Sequence, residues 1–350
     1  MGGGQEARPF ALQTIEHLII RAPNWVGDLV MATPVLEAAL KDPRFGKVSI
    51  ALRGHLAEVL SGGPCADHLI LIKDKRDETE KLRGADAVLL LSNSMGAVWR
   101  AFRAGVPQRA GSSLGLRRFL LTHRVVPPQV DGRRVPIPTA HLLRDVAGLF
   151  GIQVPSLHPK LHLEPGICAE NRAVLAAAGL EAGQNYVLCA PGAAFGAAKL
   201  WPPEHHAKVL DGLYERHGWR GVVSGGPGEE AAMQAVVAAC QHPAISLAEH
   251  PRSLRLLKPL VAGAELLLVG DSGPRWFAAA FDVPCVTLMG PNFPELTASS
   301  LEFAEVVRLE GLDCAPCLRR TCPLGHHRCM RDLKPEKALA AADRLLAARS

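Results

Sequence analysis

Long apolar segments are missing from this 350-residue chain. No run of about 18 or more apolar residues is free of charges and turn-forming residues, so we expect no membrane-spanning helix. The first ten residues, MGGGQEARPF, lack the basic-then-apolar order of a secretion signal and the Ser or Thr of a myristoylation signal. We therefore expect a disordered leader on a cytoplasmic protein.

Aromatic residues and a strong excess of charge are also scarce. Phe, Trp and Tyr make up 5% of the chain, and the formal net charge is +5 at pH 7. This mild positive charge permits an anionic substrate or an anionic membrane face, and we expect no nucleic-acid partner. The nine cysteines are odd in number and follow no secretion signal, which indicates free thiols in a reducing compartment.

Short apolar strands alternate with helical segments along the chain. Its 48% hydrophobic and 21% charged residues are typical of a globular protein with sizeable cores. Its length exceeds the roughly 100–200 residues of one domain. The alternation predicts right-handed crossovers and parallel sheets buried on both faces. The predicted strands are 15–22, 47–53, 67–73, 86–92, 185–190, 219–226, 264–270 and 284–290.

Two proline-containing stretches, 125–138 and 154–165, interrupt this alternation. We therefore predict two α/β domains, residues 1–160 and residues 161–350. Because both have the same strand–helix pattern, we expect two Rossmann-like parallel-sheet domains that face a central cleft. The predicted helices are 27–41, 94–105, 140–151, 202–218 and 336–348.

The first candidate site is the loop PNWVGDLVMATP (23–34), between a predicted strand and a predicted helix. Ligands of open α/β sheets bind at this edge. Gly27 permits close backbone approach, and the carboxylate of Asp28 could take a proton from an attacking hydroxyl. Asp28 could equally cap the helix, because Asp is a favoured N-cap residue.

Two loops of the second half have the composition of phosphate sites. In 190–202 small residues leave backbone N–H groups accessible and Lys199 adds a charge, although a flexible loop with a solvated lysine is the alternative. In the segment 269–281 a predicted strand ends and a helix begins. The N-terminus of that helix could bind a diphosphate, and the alternative is an ordinary capped turn without a ligand. The residues of this turn are Asp271, Ser272, Gly273 and Pro274.

Glu229 and a run of arginines are further candidates. Glu229 follows a predicted strand and could bind a ribose hydroxyl or sit in the first turn of a helix. Only Asp131 is acidic between Arg100 and Arg134, which favours either a phosphorylated, acidic acceptor or a solvated basic face. The candidate acceptor-binding residues are Asn24, Gly27, Arg109, Arg117 and Arg118.

The segment CAPCLRRTCPLGHHRC (314–329) is rich in metal-ligand residue types. Its CxxC pair favours zinc, although the second half of the segment lacks the usual zinc-knuckle spacing. The alternatives are a structural zinc site and reduced thiols in a tight loop, and neither is expected to take part in catalysis. The candidate ligands are Cys314, Cys317, Cys322 and Cys329.

Together these stretches resemble the ADP-heptose:lipopolysaccharide heptosyltransferases of glycosyltransferase family 9. The resemblance rests on 23–34, on PGAAFGAAKLWP (191–202), and on DSG (271–273) followed by AAAFDVPCVTLMGP (278–291). The segment 314–330 resembles the tail of the heptosyltransferase II branch. The order and spacing of these motifs span nearly the whole chain.

The resemblance implies a GT-B fold whose first domain binds the acceptor and whose second domain binds ADP-heptose. It implies inverting transfer by direct displacement without a metal ion, onto a phosphorylated lipid A–Kdo core at the inner face of the cytoplasmic membrane. Asp28 matches the family's proposed general base, and Lys199 matches a lysine that contacts phosphate. Residues 271–273 match the diphosphate loop, and Glu229 matches an acid that binds the nucleoside.

The sequence departs from the family pattern at two positions. Gly270 stands where an Asn usually precedes Asp271, and Trp276 stands where a His is usual. Trp276 could stack on a sugar or base, or pack in the core, and Arg275 could supply a replacement charge. Alternatives are another nucleotide sugar or acceptor, or a catalytically weak nucleotide-binding homologue. A dehydrogenase is disfavoured because PNWVGD replaces GxGxxG after the first strand.

Overall fold

The computed structural model describes residues 15–131 and 133–349, so the predicted leader lies outside the described residues. The first sheet has six parallel strands in the order β3-β2-β1-β4-β5-β6. These strands are β1 (Ile15–Arg21), β2 (Phe45–Arg53), β3 (Leu69–Ile72), β4 (Ala87–Leu90), β5 (Gln108–Ser112) and β6 (His123–Val125). An antiparallel pair follows, β7 (Gln129–Val130) and β8 (Arg133–Arg134).

The second sheet repeats the topology of the first. Its order is β11-β10-β9-β12-β13-β14, and all its strand pairs are parallel. Two Rossmann-like sheets confirm the fold class predicted from the alternation of strands and helices. The strands are β9 (Tyr186–Ala190), β10 (Arg220–Val223), β11 (Ala244–Ser246), β12 (Leu266–Gly270), β13 (Cys285–Met289) and β14 (Ala304–Arg308).

Helices cover the faces of both sheets. Those of the first half are α1 (Val26–Leu40), α2 (Ala57–Leu60), α3 (Lys75–Leu82), α4 (Met95–Arg103) and α5 (Thr139–Gly148). Those of the second half are α6 (Ile167–Ala177), α7 (Pro203–His217), α8 (Glu230–Ala239), α9 (Leu254–Ala262), α10 (Pro274–Ala280), α11 (Arg328–Arg331) and α12 (Pro335–Ala347). Among these, no helix is long and apolar enough to cross a membrane.

The central strands are buried on both faces, as their apolar sequences predict. Leu18 and Ile20 of β1 and Leu267 and Leu268 of β12 are fully buried. Burial of each such side chain stabilises the fold by roughly 1.5–3 kcal/mol. The strands therefore form rigid platforms, and the loops at their carboxyl ends are free to carry ligand-binding residues.

The two halves touch where the N-termini of α1 and α10 meet. A Cβ atom on Gly27 would lie 2.6 Å from Cδ1 of Trp276, and one on Gly273 would lie 3.2 Å from Cβ of Val26. Glycine at both positions therefore allows the close approach of the halves. The predicted boundary at residue 160 falls between α5 and α6, and we retain residues 1–160 and 161–350 as a proposed domain division.

Candidate active site in the cleft

A cavity of about 730 Å³ lies between the two halves, at the carboxyl ends of their central strands. The loops after β1, β9, β10 and β12 all reach it, as the edge rule for parallel sheets predicts. The structure thus brings together eight of the predicted site residues on the cavity wall: Gly27, Asp28, Lys199, Glu229, Asp271, Ser272, Gly273 and Pro274.

Asp28 lies in the first turn of α1 and faces the cavity. The N-cap residue of this helix is Trp25, so Asp28 does not act as the helix cap. The pKa of Asp28 is raised to about 6, chiefly by burial and also by the nearby carboxylate of Asp271, and Lys199 opposes both effects. A carboxylate whose pKa lies close to neutral is well suited to accept a proton during catalysis.

Lys199 and Asp271 form an ion pair across the loops of the second half. The Lys199 Nζ atom donates to Asp271 Oδ2 at 2.5 Å and to the Asp271 backbone oxygen at 2.8 Å. Lys199 Nζ also lies 4.7 Å from the centre of the Phe195 ring, so the ammonium is held on two sides. This arrangement fixes one positive charge at the cavity wall.

Asn292 is a member of this network that the sequence interpretation missed. Its Nδ2 atom donates to Asp271 Oδ2 at 2.6 Å, and the residue lines the same cavity. The available signal was its position two residues after the predicted strand 284–290, at the edge where ligands bind.

Glu229 fits between two glycine-containing loops. A Cβ atom on Gly192 would lie 2.0 Å from the Glu229 carboxyl carbon, so only glycine leaves room for this side chain. Glu229 Oε2 accepts a hydrogen bond from the Gly226 backbone N–H at 2.7 Å. Glu229 immediately precedes α8 and does not lie in its first turn, which leaves its carboxylate at the cavity wall.

Trp276 and Arg275 are both buried. Trp276 packs against Gly27 and is 4% exposed, so its packing role is confirmed, and its ring forms part of the cavity wall. Arg275 Nη2 donates to the Thr297 backbone oxygen at 2.8 Å, and its guanidinium lies 4.6 Å from the centre of the Trp276 ring. The structure places Arg275 behind Trp276 and does not bring it to the cavity wall.

A second cavity of about 370 Å³ adjoins Asp28 within the first half. Asn24 and residues 92–94 after β4 line it, together with part of α5. Asp28 lines both cavities, as do Trp25 and Thr139, so these three residues form the wall that the two spaces share.

The predicted acceptor-binding residues lie in different places. Asn24 lines the smaller cavity and Gly27 the larger one. The Arg109 guanidinium donates to the backbone oxygen of Leu120 at 2.7 Å, at the opposite end of β5, and the structure does not bring it to the site. The Arg118 side chain is exposed and stacks 4.7 Å from the Phe119 ring centre.

The cysteine-rich segment 314–329 forms hydrogen bonds with the loop that carries Lys199. His327 Nε2 lies 2.8 Å from the Ala198 backbone oxygen, and the Ala198 N–H donates to the Arg320 backbone oxygen at 2.9 Å. All nine cysteines are free thiols. Within residues 15–131 and 133–349, no group of three or more His, Cys, Asp or Glu side chains is arranged to hold a metal ion. The zinc site at Cys314, Cys317, Cys322 and Cys329 stays a sequence prediction.

Known proteins share this architecture. A family model described as glycosyltransferase family 9 (heptosyltransferase) matches residues 78–328. The lipooligosaccharide heptosyltransferase 2 of Campylobacter jejuni is 25% identical over 94% of this chain and 98% of its own length. The structure of Escherichia coli ADP-heptose lps heptosyltransferase II has a TM-score of 0.75 at 24% identity, covering 95% and 99% of the two chains. A family 9 glycosyl transferase from Veillonella parvula has a TM-score of 0.80 at 20% identity, covering 95% and 98%.

Two Rossmann-like sheets facing a cleft give this protein the GT-B fold of these solved structures, and the family model makes it a glycosyltransferase. The match over most of its length is more specific. The chain belongs to glycosyltransferase family 9, the heptosyltransferase family.

Proposed function

We propose that this enzyme transfers heptose from ADP-heptose to the inner core of lipopolysaccharide, as a heptosyltransferase II. The observation that carries the proposal is the position of Asp28, whose side chain lines both the larger and the smaller cavity. The larger cavity receives the nucleotide sugar and the smaller one the acceptor. Further support comes from the heptosyltransferase 2 relatives that match nearly the full chain.

In the proposed reaction an acceptor hydroxyl oxygen attacks the anomeric carbon of the donor. The new carbon–oxygen bond forms as the bond to the ADP diphosphate breaks on the opposite face, so the configuration is inverted. The hydroxyl proton goes to the Asp28 carboxylate, which accepts it well because its pKa lies near 6. Lys199 and the backbone N–H groups of 272–275 stabilise the charge that develops on the departing diphosphate.

We propose that Glu229 binds the nucleoside and that Gly192 and Gly226 let the nucleotide approach the backbone. Glu229 is held by the Gly226 N–H in the cavity wall. A carboxylate oxygen in this position can accept hydrogen bonds from two ribose hydroxyls. The proposed reaction requires no metal ion, because Lys199 supplies the charge next to the diphosphate.

We propose that the enzyme works on the cytoplasmic face of an anionic membrane, where its glycolipid acceptor resides. The segment 115–130 carries four exposed apolar side chains, Leu116, Phe119, Val126 and Val130, beside the exposed Arg118. Apolar side chains interleaved with basic ones suit a peripheral contact with anionic lipid.

Calorimetry and a transfer assay test this function together. Purified enzyme is titrated with ADP, UDP and GDP, and then assayed with ADP-heptose and a deacylated inner-core acceptor. Selective binding of ADP and formation of a heptosylated product are expected. A preference for UDP or GDP would instead assign another donor sugar, and ADP binding without transfer would indicate a catalytically weak homologue.

A further inference from the structure

Two asparagines face the smaller cavity, and each is held from behind by a buried arginine. Arg21 Nη2 donates to Asn24 Oδ1 at 2.8 Å, and Arg117 Nη1 donates to Asn93 Oδ1 at 3.1 Å. Asn24 and Asn93 come from different loops, after β1 and after β4, yet both line the same space beside Asp28.

The chemistry of arginine fixes the orientation of both amides. A guanidinium only donates hydrogen bonds, so each asparagine must turn its Oδ1 atom toward its arginine. The amide –NH₂ of each side chain then points away from its arginine, and both asparagines line the cavity. For Asn24 a weak contact of 3.4 Å to Ser92 Oγ occupies part of this donor capacity.

The first arginine belongs to a cluster with excess positive charge. Arg21 is 1% exposed, and its Nε atom lies 2.8 Å from Glu78 Oε1. Arg100 shares the same carboxylate, with its Nε atom 2.6 Å from Glu78 Oε2. One glutamate therefore serves two guanidinium groups, and the cluster behind Asn24 keeps a net positive charge.

The second arginine has no acidic partner among the described residues. Arg117 is 2% exposed, and its Nε and Nη2 atoms have no hydrogen-bond partner among the described residues. Burial lowers the pKa of Arg117 to about 10, so it remains charged at neutral pH. Ser112, whose Oγ lies 3.4 Å from Arg117 Nη1 and donates to Asn93 Oδ1 at 2.5 Å, completes the support of the asparagine.

Burying a positive charge without a counter-charge costs free energy, and a bound anion offsets that cost. We propose that the smaller cavity is an oxyanion subsite, in which Asn24 and Asn93 bind a carboxylate or phosphate of the acceptor sugar. The inference rests on the proposed function, because it takes this cavity as the acceptor site. Binding the anion at the asparagines directs a neighbouring hydroxyl of the same sugar toward Asp28.

Asn93→Asp tests the subsite, because the new carboxylate pairs with Arg117 and repels an anionic acceptor. We expect the acceptor KM to rise at least about tenfold, with kcat and ADP affinity changed less than about twofold, because hydrogen bonds to the acceptor anion are lost. Gln153→Glu adds the same charge at an exposed position of the same half, away from both cavities, and should change neither constant. Asn93→Ala, which adds no charge, should raise the acceptor KM by a smaller factor.

Modified acceptors distinguish the two sources of the anion. The wild-type enzyme is assayed with the deacylated inner-core acceptor after carboxyl reduction and, separately, after dephosphorylation. The modification that removes the bound group should raise the wild-type KM and leave the Asn93→Asp KM nearly unchanged. An unchanged KM for both modified acceptors, or an effect of Asn93→Asp on kcat alone, would overturn the oxyanion subsite.

Direct binding separates this inference from the proposed function. If no lipopolysaccharide acceptor turns over, the proposed function fails, and calorimetry with free Kdo and with inorganic phosphate still tests the cavity. Binding of either anion that Asn93→Asp abolishes and Gln153→Glu retains would support the subsite. Equal behaviour of the two variants, or no binding to the wild type, would refute it.

Discussion

The two halves share one strand order but carry Asp28 and Lys199, the key charged residues of the cleft, on connections of different length. In the first half the chain leaves β1 at Arg21 and α1 begins at Val26, so Asp28 lies in the first helical turn. In the second half the chain leaves β9 at Ala190 and reaches α7 only at Pro203. This longer loop contains a short helical turn at Ala197–Lys199, which carries the lysine.

The length of equivalent loops therefore decides which chemistry each half supplies. A short connection keeps Asp28 close to the sheet, where burial raises its pKa. A long, glycine-containing connection lets Lys199 reach across to Asp271 on the neighbouring loop. The comparison predicts that charge changes on the two sides produce different kinetic defects, one in proton transfer and the other in handling of the diphosphate.

Asp28→Asn should have the largest effect, because it removes the proton acceptor and keeps the shape of the side chain. Since general base catalysis contributes on the order of 10²–10⁴ in rate, we expect kcat to fall by about that factor. ADP affinity should stay near the wild-type value, because the nucleotide is held by the second half. Transfer kinetics and calorimetry measure the two quantities.

Asp145→Asn is the matched control for Asp28→Asn. Asp145 lies on α5 of the same half, is partly exposed, and pairs only with the surface residue Arg144 among the described residues. The control should transfer at the wild-type rate. Undiminished turnover of Asp28→Asn would remove Asp28 as the base and place the proton acceptor elsewhere.

Lys199→Met should impair the handling of the diphosphate, which is the role of the second half. It removes the charge next to the departing diphosphate and leaves the carboxylate of Asp271 without its cation. We expect kcat/KM for the donor to fall about 10²-fold, the typical effect of losing one transition-state donor. Lys208→Met, on the exposed face of α7, is the control and should be silent. Unchanged donor kinetics in Lys199→Met would exclude the phosphate role.

The fold was predictable because the local sequence of a strand indicates whether the strand is buried. Apolar segments such as 264–270 have one stable environment, the middle of a parallel sheet, and the structure confirms β12 there. The strands β5, β6, β11 and β14 of the two sheets were not predicted, because each is only three to five residues long and contains polar residues.

The candidate site was predictable only where a residue's position along the chain also fixed its place in the fold. Lys199 and Asp271 follow strands, and the structure brings both to the edge where ligands bind. Arg109 lies in the same basic run as Arg117, yet it begins β5 and faces the opposite end of the sheet. The charge of a segment does not reveal the direction of its side chains, so the arginine assignments could not be made from sequence.

Gly27→Ala probes the contact that sets the distance between the halves. The added Cβ atom would lie 2.6 Å from Cδ1 of Trp276, so the helices α1 and α10 must separate. We expect a loss of roughly 1–3 kcal/mol in the free energy of unfolding and a parallel loss of activity. Trp276→Leu should relieve the clash, so the double variant should be more stable than the sum of the single changes predicts. Strict additivity in denaturant unfolding would contradict this contact.

The smallest expected effect is a displaced pH profile, and it connects the two sides of the cleft. With a pKa of about 6, Asp28 is protonated below that pH and cannot accept the acceptor proton, so kcat/KM should fall about tenfold per pH unit on the acid side. The carboxylate of Asp271 raises this pKa, and Asp271→Asn should therefore move the midpoint to lower pH, even if the variant is slow. Lys199→Met should move it to higher pH, because the ammonium stabilises ionised Asp28. Opposite displacements would show that charges of the second half tune the base of the first, and identical midpoints in all three proteins would show that burial alone sets the pKa of Asp28.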